Sequence, residues 1–199
     1  MKVTISLAGA AERYHESISD ITNVSTQNAD KLVSEACKLH IFNVIDKIKD
    51  KYPGLNRYFH GVRYTLRQES EYNPSERKVV LQILGLQGSV ARAEEYFSKN
   101  AHRPGFIVHG GPKRAFTSTL VHEMGHCLDA WIRNGLKDRP EDFKRYNDEK
   151  DELLEKYGYP SDFSKQSPSE WIAERFAYEY FKFMDKGVSK MFLRWSKQI

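Results

Sequence analysis

The chain has 199 residues, of which 40% are hydrophobic and 29% are charged, as in an ordinary soluble globular protein. This length is enough for one domain with its own core. No apolar run approaches the roughly 18 residues that a membrane-spanning helix needs, so no membrane partner is predicted. The net charge of +4 arises from Lys and Arg residues spread along the chain. Without a basic cluster, a nucleic-acid partner is not expected.

The cysteines and the N-terminus predict a cytoplasmic protein. Two cysteines, Cys37 and Cys127, do not make a secreted disulfide framework and fit a reducing compartment. The N-terminal apolar run, residues 3–10, is short and interrupted by Thr4 and Ser6, which is not typical of a signal peptide. Secretion by another route stays open.

The first part of the chain predicts a long helix. Residues 1–27 are polar and weakly periodic, and we interpret them as a short strand or an arm. Apolar side chains then recur at helical spacing over residues 32–48, with Asn28 or Asp30 as the capping residue. Pro53, which is followed by glycine, ends this helix.

A small sheet is predicted next. Residues 62–69 alternate between apolar and polar, and residues 78–84 are almost continuously apolar, so both runs predict strands. The sequence Asn-Pro-Ser-Glu at residues 73–76 predicts a hairpin turn between them. A short helix over residues 89–99 and a short strand over residues 106–109 follow.

The second half of the chain predicts helices alone. Capping residues and apolar spacing indicate four of them: from Thr117 or Ser118 to about Arg133, Pro140–Tyr157, Glu170 (capped by Ser167 or Ser169) to about Lys186, and Val188–Ser196. These elements predict an α+β fold in one domain over residues 1–199. After the arm, residues 28–110 form a helix and a small mixed sheet packed on helices, and residues 111–199 form a helical, metal-binding half.

The most informative stretch is His122-Glu123-Met124-Gly125-His126. Histidines at positions i and i+4 of a helix lie on one face, one turn apart, so both imidazoles can bind one Zn²⁺ from the same side. The glutamate after the first histidine then lies where it can take a proton from a water at the metal. The surrounding helix is largely apolar, and buried polar side chains need partners, which a metal would provide. The pentad therefore predicts a zinc hydrolase, foremost a peptidase.

A catalytic zinc usually has three protein ligands, so a third should lie elsewhere in the chain. A metzincin would have glycine at position 129 and histidine at position 132, but Asp129 and Ile132 stand there, which excludes that class. Glu170 and Glu174 are the best candidates, because two carboxylates one turn apart on an otherwise apolar helix need positive charge nearby. One would bind the metal, and the other would hydrogen-bond a ligand histidine.

Three further residues have a predicted role near the metal. Gly125, which is costly inside a helix, indicates the close approach of another element, such as a strand or loop; the alternative is a glycine that the helix merely tolerates. Asp129 shares the helix face of both histidines and could orient one of them or hold the glutamate-bearing helix; the alternative is a surface pair with Arg133. His109 could contact substrate or support the oxyanion, the alternative being a structural histidine. The strand before it could pair with an extended peptide.

The two motifs together resemble the gluzincin metallopeptidases. His-Glu-x-x-His-x-x-Asp at residues 122–129, followed by Glu-Trp-Ile-Ala-Glu-Arg-Phe at residues 170–176, is similar to the family of the anthrax lethal factor catalytic domain and the Pro-Pro endopeptidases. The resemblance covers about residues 105–185. It implies a zincin-like fold in which Glu170 is the third zinc ligand and Glu174 lies behind it.

One position departs from that family. Its members carry a tyrosine seven residues before the ligand glutamate, which stabilises the oxyanion, and this chain has Phe163 there. Tyr157 and Tyr159 lie slightly upstream in the same loop. The resemblance therefore implies that one of these two tyrosines takes the catalytic role.

We therefore expect a zinc-dependent endopeptidase that hydrolyses protein or peptide substrates through a metal-activated water, with Glu123 as general base. The alternative is a non-catalytic binding or scaffold protein stabilised by zinc, of the kind that a phage or mobile element could encode. The displaced tyrosine favours the alternative. Glu123 argues against it, since a structural site needs no base.

Overall fold

The computed structural model describes residues 29–66, 70–100, 108–182 and 187–199. Over these residues the chain forms eight α-helices and one three-stranded sheet. The helices are α1 (Ala29–Leu32), α2 (Glu35–Lys51), α3 (Leu55–Tyr58), α4 (Val90–Asn100), α5 (Ala115–Leu136), α6 (Pro140–Tyr157), α7 (Pro168–Phe181) and α8 (Val188–Ser196). The strands are β1 (Val62–Thr65), β2 (Glu71–Asn73) and β3 (Lys78–Gln82). The predicted α+β fold is thereby confirmed as a mostly helical chain with a small sheet. Among these elements, no helix combines the length and apolar character needed to span a membrane.

The long helix α2 begins later than predicted. Its capping residue is Ser34, whose hydroxyl oxygen accepts a hydrogen bond from the Cys37 backbone N–H at 3.1 Å. The same hydroxyl donates to the Gly88 carbonyl oxygen at 2.5 Å, which ties the start of α2 to the loop after β3. The prediction of Asp30 as the cap is wrong, because this residue lies inside α1. The other predicted cap, Asn28, lies outside the described residues, as does the predicted arm over residues 1–27.

The sheet has the order β1-β3-β2. The turn predicted at residues 73–76 is present, but it joins β2 to β3 rather than β1 to β3. Its bend is set by Asn73, whose side-chain oxygen accepts from the backbone N–H groups of Ser75 and Glu76. β1 pairs with β3 in parallel, with Val62 opposite Val79. The prediction missed β2 because a strand of three residues is too short to show an alternating pattern.

The helix α5 is the central element of the molecule. Most of its 22 residues are buried, and it packs against β2, β3 and each of the longer helices. It begins at Ala115, so the prediction of a cap at Thr117 or Ser118 is wrong. The carboxylate of Glu94, on α4, caps the helix instead, because it accepts hydrogen bonds from the Phe116 N–H at 2.6 Å and from the Thr117 N–H at 3.4 Å.

The remaining helices follow the predicted pattern closely. α6 and α8 have the predicted bounds. α7 is capped by Ser167, one of the two predicted residues, and ends at Phe181 rather than near residue 186. Of the strand predicted over residues 106–109, positions 106 and 107 lie outside the described residues, and His109 lies in a turn.

A close crossing between α5 and α7 occurs at Gly125. A Cβ atom at this position would lie 2.8 Å from the Ala173 Cα and 3.1 Å from the Ala173 carbonyl oxygen. The prediction of a close approach is therefore confirmed, although the approaching element is a helix and not a strand or loop. The absence of a side chain at Gly125 lets the backbones of the two helices meet, and this contact fixes the distance between α5 and the first turn of α7.

The variant Gly125→Ala should lower the free energy of unfolding by about 1–3 kcal/mol, because the added methyl group meets backbone atoms that cannot move aside. Urea unfolding at equilibrium measures this. Gly135→Ala is the matched control on the same helix, since its methyl group would meet only the Ile199 side chain at the C-terminus. A Gly125→Ala chain as stable as the Gly135→Ala chain would contradict the crossing.

Candidate metal centre

The centre of α5 carries the predicted histidines and glutamate. His122 and Glu123 are 2% and 4% exposed, so both are held in the interior by the helices around α5. His126 lies one turn further on the same face and is partly exposed. The interplanar angle of the two imidazole rings is 84°, with ring centroids 4.7 Å apart. The two rings therefore stand edge to face, with their Nε2 atoms close together.

Glu170, in the first turn of α7, completes a triangle with the two histidines. Its Oε2 atom lies 3.1 Å from His122 Nε2 and 3.4 Å from His126 Nε2, and the two Nε2 atoms are 3.1 Å apart. Ligand atoms in tetrahedral directions about 2.0–2.2 Å from a zinc ion lie roughly 3.3–3.6 Å from one another. The observed triangle is close to this size. Two imidazole nitrogens and a carboxylate oxygen that converge on one point are a set of donors for a cation, so the residues present fit a zinc ion.

Two serines position this triangle. The hydroxyl oxygen of Ser167 accepts from the Glu170 backbone N–H at 3.1 Å, so the helix cap also fixes the first turn that carries Glu170. Ser169 Oγ and His126 Nδ1 share a hydrogen bond of 3.0 Å. When Nδ1 carries the proton and donates it to Ser169, the Nε2 lone pair of His126 is left for a metal.

The charges of the triangle suit cation binding. Burial lowers the pKa of His122 to about 4, so its imidazole is neutral at pH 7 and able to bind a metal. Burial raises the pKa of Glu170, but hydrogen bonds from His122 and His126 outweigh it and hold that pKa well below its usual range. Burial also opposes the charged form of His126, yet the bond to Glu170 and the charge of Glu123 raise its pKa overall. A metal ion at this triangle would therefore compete with a proton for the His126 imidazole.

Glu174 is fully buried one turn beyond Glu170. Its Oε2 atom accepts a hydrogen bond of 2.5 Å from the Ser161 hydroxyl, and its Oε1 atom lies 3.6 Å from His109 Nε2. The negative charge of Glu174 raises the pKa of His122, against the larger effect of burial. The hydrogen bond predicted from Glu174 to a ligand histidine stays a prediction, while the hydrogen bond from Ser161 fastens the loop before α7 to this helix.

Glu170 is a member of the triangle, whereas Glu174 lies one turn beyond it. Substitution of each glutamate should therefore weaken zinc binding to a different extent. Glu170→Gln should weaken zinc binding by about 100-fold or more, and Glu174→Gln by about tenfold, because removal of a group behind a ligand usually costs less than removal of the ligand. Competition with a chromophoric chelator measures both affinities. A greater loss in Glu174→Gln would exchange their roles.

Asp129 binds α6 rather than the elements for which it was predicted. Its Oδ1 atom accepts from the Tyr146 hydroxyl at 2.7 Å and from Lys150 Nζ at 2.9 Å, and all three side chains are buried. The alternative partner, Arg133, lies 3.7 Å from Oδ2. Asp129 therefore fixes α6 against the C-terminal half of α5, the helix that carries His122 and His126. Its hydrogen bonds do not reach the glutamate-bearing α7, which the sequence left as a possibility.

The predicted oxyanion tyrosines lie in different surroundings. The side chain packed on the metal triangle is Phe163, whose ring centroid is 6.1 Å from that of His122. Tyr157 faces the Arg175 guanidinium, 4.3 Å from its ring centroid. Tyr159 is 48% exposed. The contacts of these two tyrosines place neither of them in the role that the resemblance implies.

His109 is buried, and its surroundings are those of a structural residue. Its backbone N–H donates to Ser118 Oγ at 3.1 Å, its ring meets Tyr178 edge to face, and Nε2 faces Glu174. With only 6% of its side chain exposed, it is poorly placed to contact substrate. The position favours the structural alternative over the predicted substrate-binding role.

An open cleft of about 480 Å³ gives access to the metal triangle. The described residues lining it are Glu71, Tyr72, Pro74, Glu123, His126, Asp129, Ala130, Arg133, Ser169 and Glu170. The wall formed by β2 and its turn was missed at the level of sequence, because nothing local connects this hairpin with α5. The sequence predicts only a capping role for Ser169, although its position next to Glu170 is a signal that it lies close to the predicted ligands.

A larger cavity lies elsewhere, between α2, α4 and the turn before α5, with a volume of about 580 Å³. Its inner polar side chains, His40, Glu94 and Thr117, are hydrogen-bonded to one another and to the start of α5. These bonds hold the start of α5 in place, so the donor chemistry of the cleft, and not the volume of this cavity, makes the triangle of His122, His126 and Glu170 the candidate site.

Comparison of the chain with protein-family models, with curated proteins and with solved structures gave no match. The geometry and the donor chemistry of the triangle are therefore the observations that support it as a candidate site.

Proposed function

We propose that the chain is a zinc-dependent endopeptidase. The observation that carries the proposal is the triangle of His122, His126 and Glu170, of which His126 and Glu170 line an open cleft together with Glu123. A structural zinc site is closed and usually has four protein ligands, whereas a catalytic one keeps a position for water or substrate. Three donors and an open cleft fit the second kind.

The roles of the residues follow from their positions. His122, His126 and Glu170 would hold the ion, which when bound acts as a Lewis acid on a carbonyl oxygen and makes a water more acidic. Glu123 accepts the proton of the attacking water on its carboxylate and then donates it to the amide nitrogen that leaves. Ser169 keeps the His126 ring in one orientation through both steps.

The second candidate function is a zinc-stabilised binding or scaffold protein. The observation that favours it is Phe163, which is 2% exposed and packs on His122 where the resembling family has its oxyanion tyrosine. This function would require the metal but not Glu123.

The purified chain should contain about one zinc ion per molecule and should cleave members of a peptide library, and both properties should be lost in His122→Ala. Elemental analysis and mass spectrometry of the peptides measure them. His60→Ala, at an exposed histidine, is the matched control and should retain both. A folded chain that takes up no zinc would contradict both functions, and one that takes up zinc but cleaves nothing would favour the scaffold.

A further inference from the structure

Arg133 lies in the metal cleft and has no part in the metal centre. It is the only Lys or Arg among the described residues that line the cleft, and 48% of its side chain is exposed. It follows His126 by seven residues, which is almost two helical turns, so it shares the face of that histidine about 10 Å further along α5. The cleft thus carries a positive charge at a fixed distance from the metal triangle.

The guanidinium group of Arg133 is only the more distant partner of a buried acid. Its Nη1 atom forms an ion pair with Asp129 Oδ2 at 3.7 Å, which is beyond a hydrogen bond. Asp129 already accepts hydrogen bonds from Tyr146 and Lys150, and Lys150 balances its charge at the shorter distance of 2.9 Å. Arg133 also lies over the Phe143 ring, 5.6 Å from its centroid, and a cation–π contact does not use the N–H donors of the guanidinium.

Apart from Asp129, the carboxylates that line the cleft have no recorded ion pair with the Arg133 guanidinium among the described residues. Glu123 and Glu170 belong to the metal centre described above, and Glu71 is an exposed residue of β2 on the opposite wall. If Glu71 bound Arg133 in solution, the charge of the arginine would be neutralised. Acidic and neutral peptides would then be cleaved at equal rates.

We propose that Arg133 determines specificity by binding a carboxylate of the substrate. An extended peptide advances about 3.4 Å per residue, so a distance of about 10 Å corresponds to roughly three residues from the scissile bond. A guanidinium binds a carboxylate with two parallel hydrogen bonds, which makes the interaction selective as well as strong. The inference rests on the proposed peptidase function of this cleft. The carboxylate can be an Asp or Glu side chain or the C-terminus of a short peptide.

The test compares cleavage of three matched peptide sets. One set is amidated at the C-terminus and carries a single Glu at successive positions, the second has Gln there, and the third has a free C-terminus and no acidic side chain. The wild-type chain should prefer Glu over Gln by about tenfold at one position if it binds a side chain. It should prefer the free C-terminus if it binds that group. Arg133→Gln should bring the ratio to about one, and Arg133→Glu should reverse it in favour of Gln. Lys144→Gln, at an exposed lysine of α6, should keep the wild-type ratio.

A binding measurement separates this inference from the proposed function. Glu123→Gln without metal should bind a fluorescent acidic peptide more tightly than its Gln counterpart, by anisotropy, and the additional Arg133→Gln change should remove the difference. Wild-type protein with equal cleavage and binding of acidic and neutral peptides would overturn the role of Arg133 alone. Protein that selects acidic peptides through Arg133 in the binding measurement but cleaves none would overturn the peptidase and leave Arg133 as a binding residue.

Discussion

Glu123→Gln should bind zinc as tightly as the wild-type chain and should cleave peptides about 10²- to 10⁴-fold more slowly, which is the usual contribution of a general base. The change replaces one oxygen by nitrogen and preserves the shape of the side chain. It therefore leaves His122 and His126 in place and removes only the ability to accept a proton. Initial rates on a cleaved library peptide, together with zinc content, measure both parts of the result.

The control for this substitution is Glu95→Gln, at an exposed carboxylate of α4 that pairs with Lys99 one turn away. It should keep both zinc and activity. A Glu123→Gln chain with a full zinc content and unchanged activity would remove Glu123 from catalysis. Loss of zinc in the same variant would mean that Glu123 holds the metal site together, and the scaffold function would then explain its presence better.

The part of the site that lies on one helix could be predicted from the sequence. His122, Glu123 and His126 are related by helical geometry alone, so their placement followed once that segment was a helix. Gly125 also gave a usable signal, because its cost inside a helix needs a compensating contact. The structure supplies that contact at Ala173, and the same crossing sets the first turn of α7, and with it Glu170, beside the histidines.

The features that were missed depend on residues far apart in the chain. The cap of α5 is Glu94, 22 positions before Phe116, and no local pattern can indicate such a partner. The missed strand β2 has three residues and takes its place through its pairing with β3 and its packing on α5. Asp129 shows the same limit, since its spacing put it on the face of the histidines but its partners stand 17 and 21 positions away.

The cluster of Asp129, Tyr146 and Lys150 joins α5 to α6 and lies outside the triangle of His122, His126 and Glu170. A buried ion pair of this kind contributes little net stability, because the cost of removing both charges from water offsets most of their attraction. Loss of one partner is different, since it leaves the other charge buried and uncompensated. The cluster therefore makes the joint between the two helices specific, and its two charges must be changed together.

Lys150→Met should lower the free energy of unfolding of the metal-free chain by about 3–5 kcal/mol, because the buried Asp129 carboxylate then keeps only the neutral Tyr146 hydroxyl as a hydrogen-bond partner and the more distant, half-exposed Arg133 as a charge partner. The double variant Asp129→Asn with Lys150→Met should regain at least about 2 kcal/mol of this loss, because no charge is then left unpaired. Lys144→Met, at an exposed lysine of the same helix, should change stability by less than about 0.5 kcal/mol. Urea unfolding of these three variants, of the Asp129→Asn single variant and of the wild-type chain measures these differences. Additive effects of the two buried substitutions would show that Asp129 and Lys150 are not coupled, and the joint between α5 and α6 would then rest on apolar packing alone.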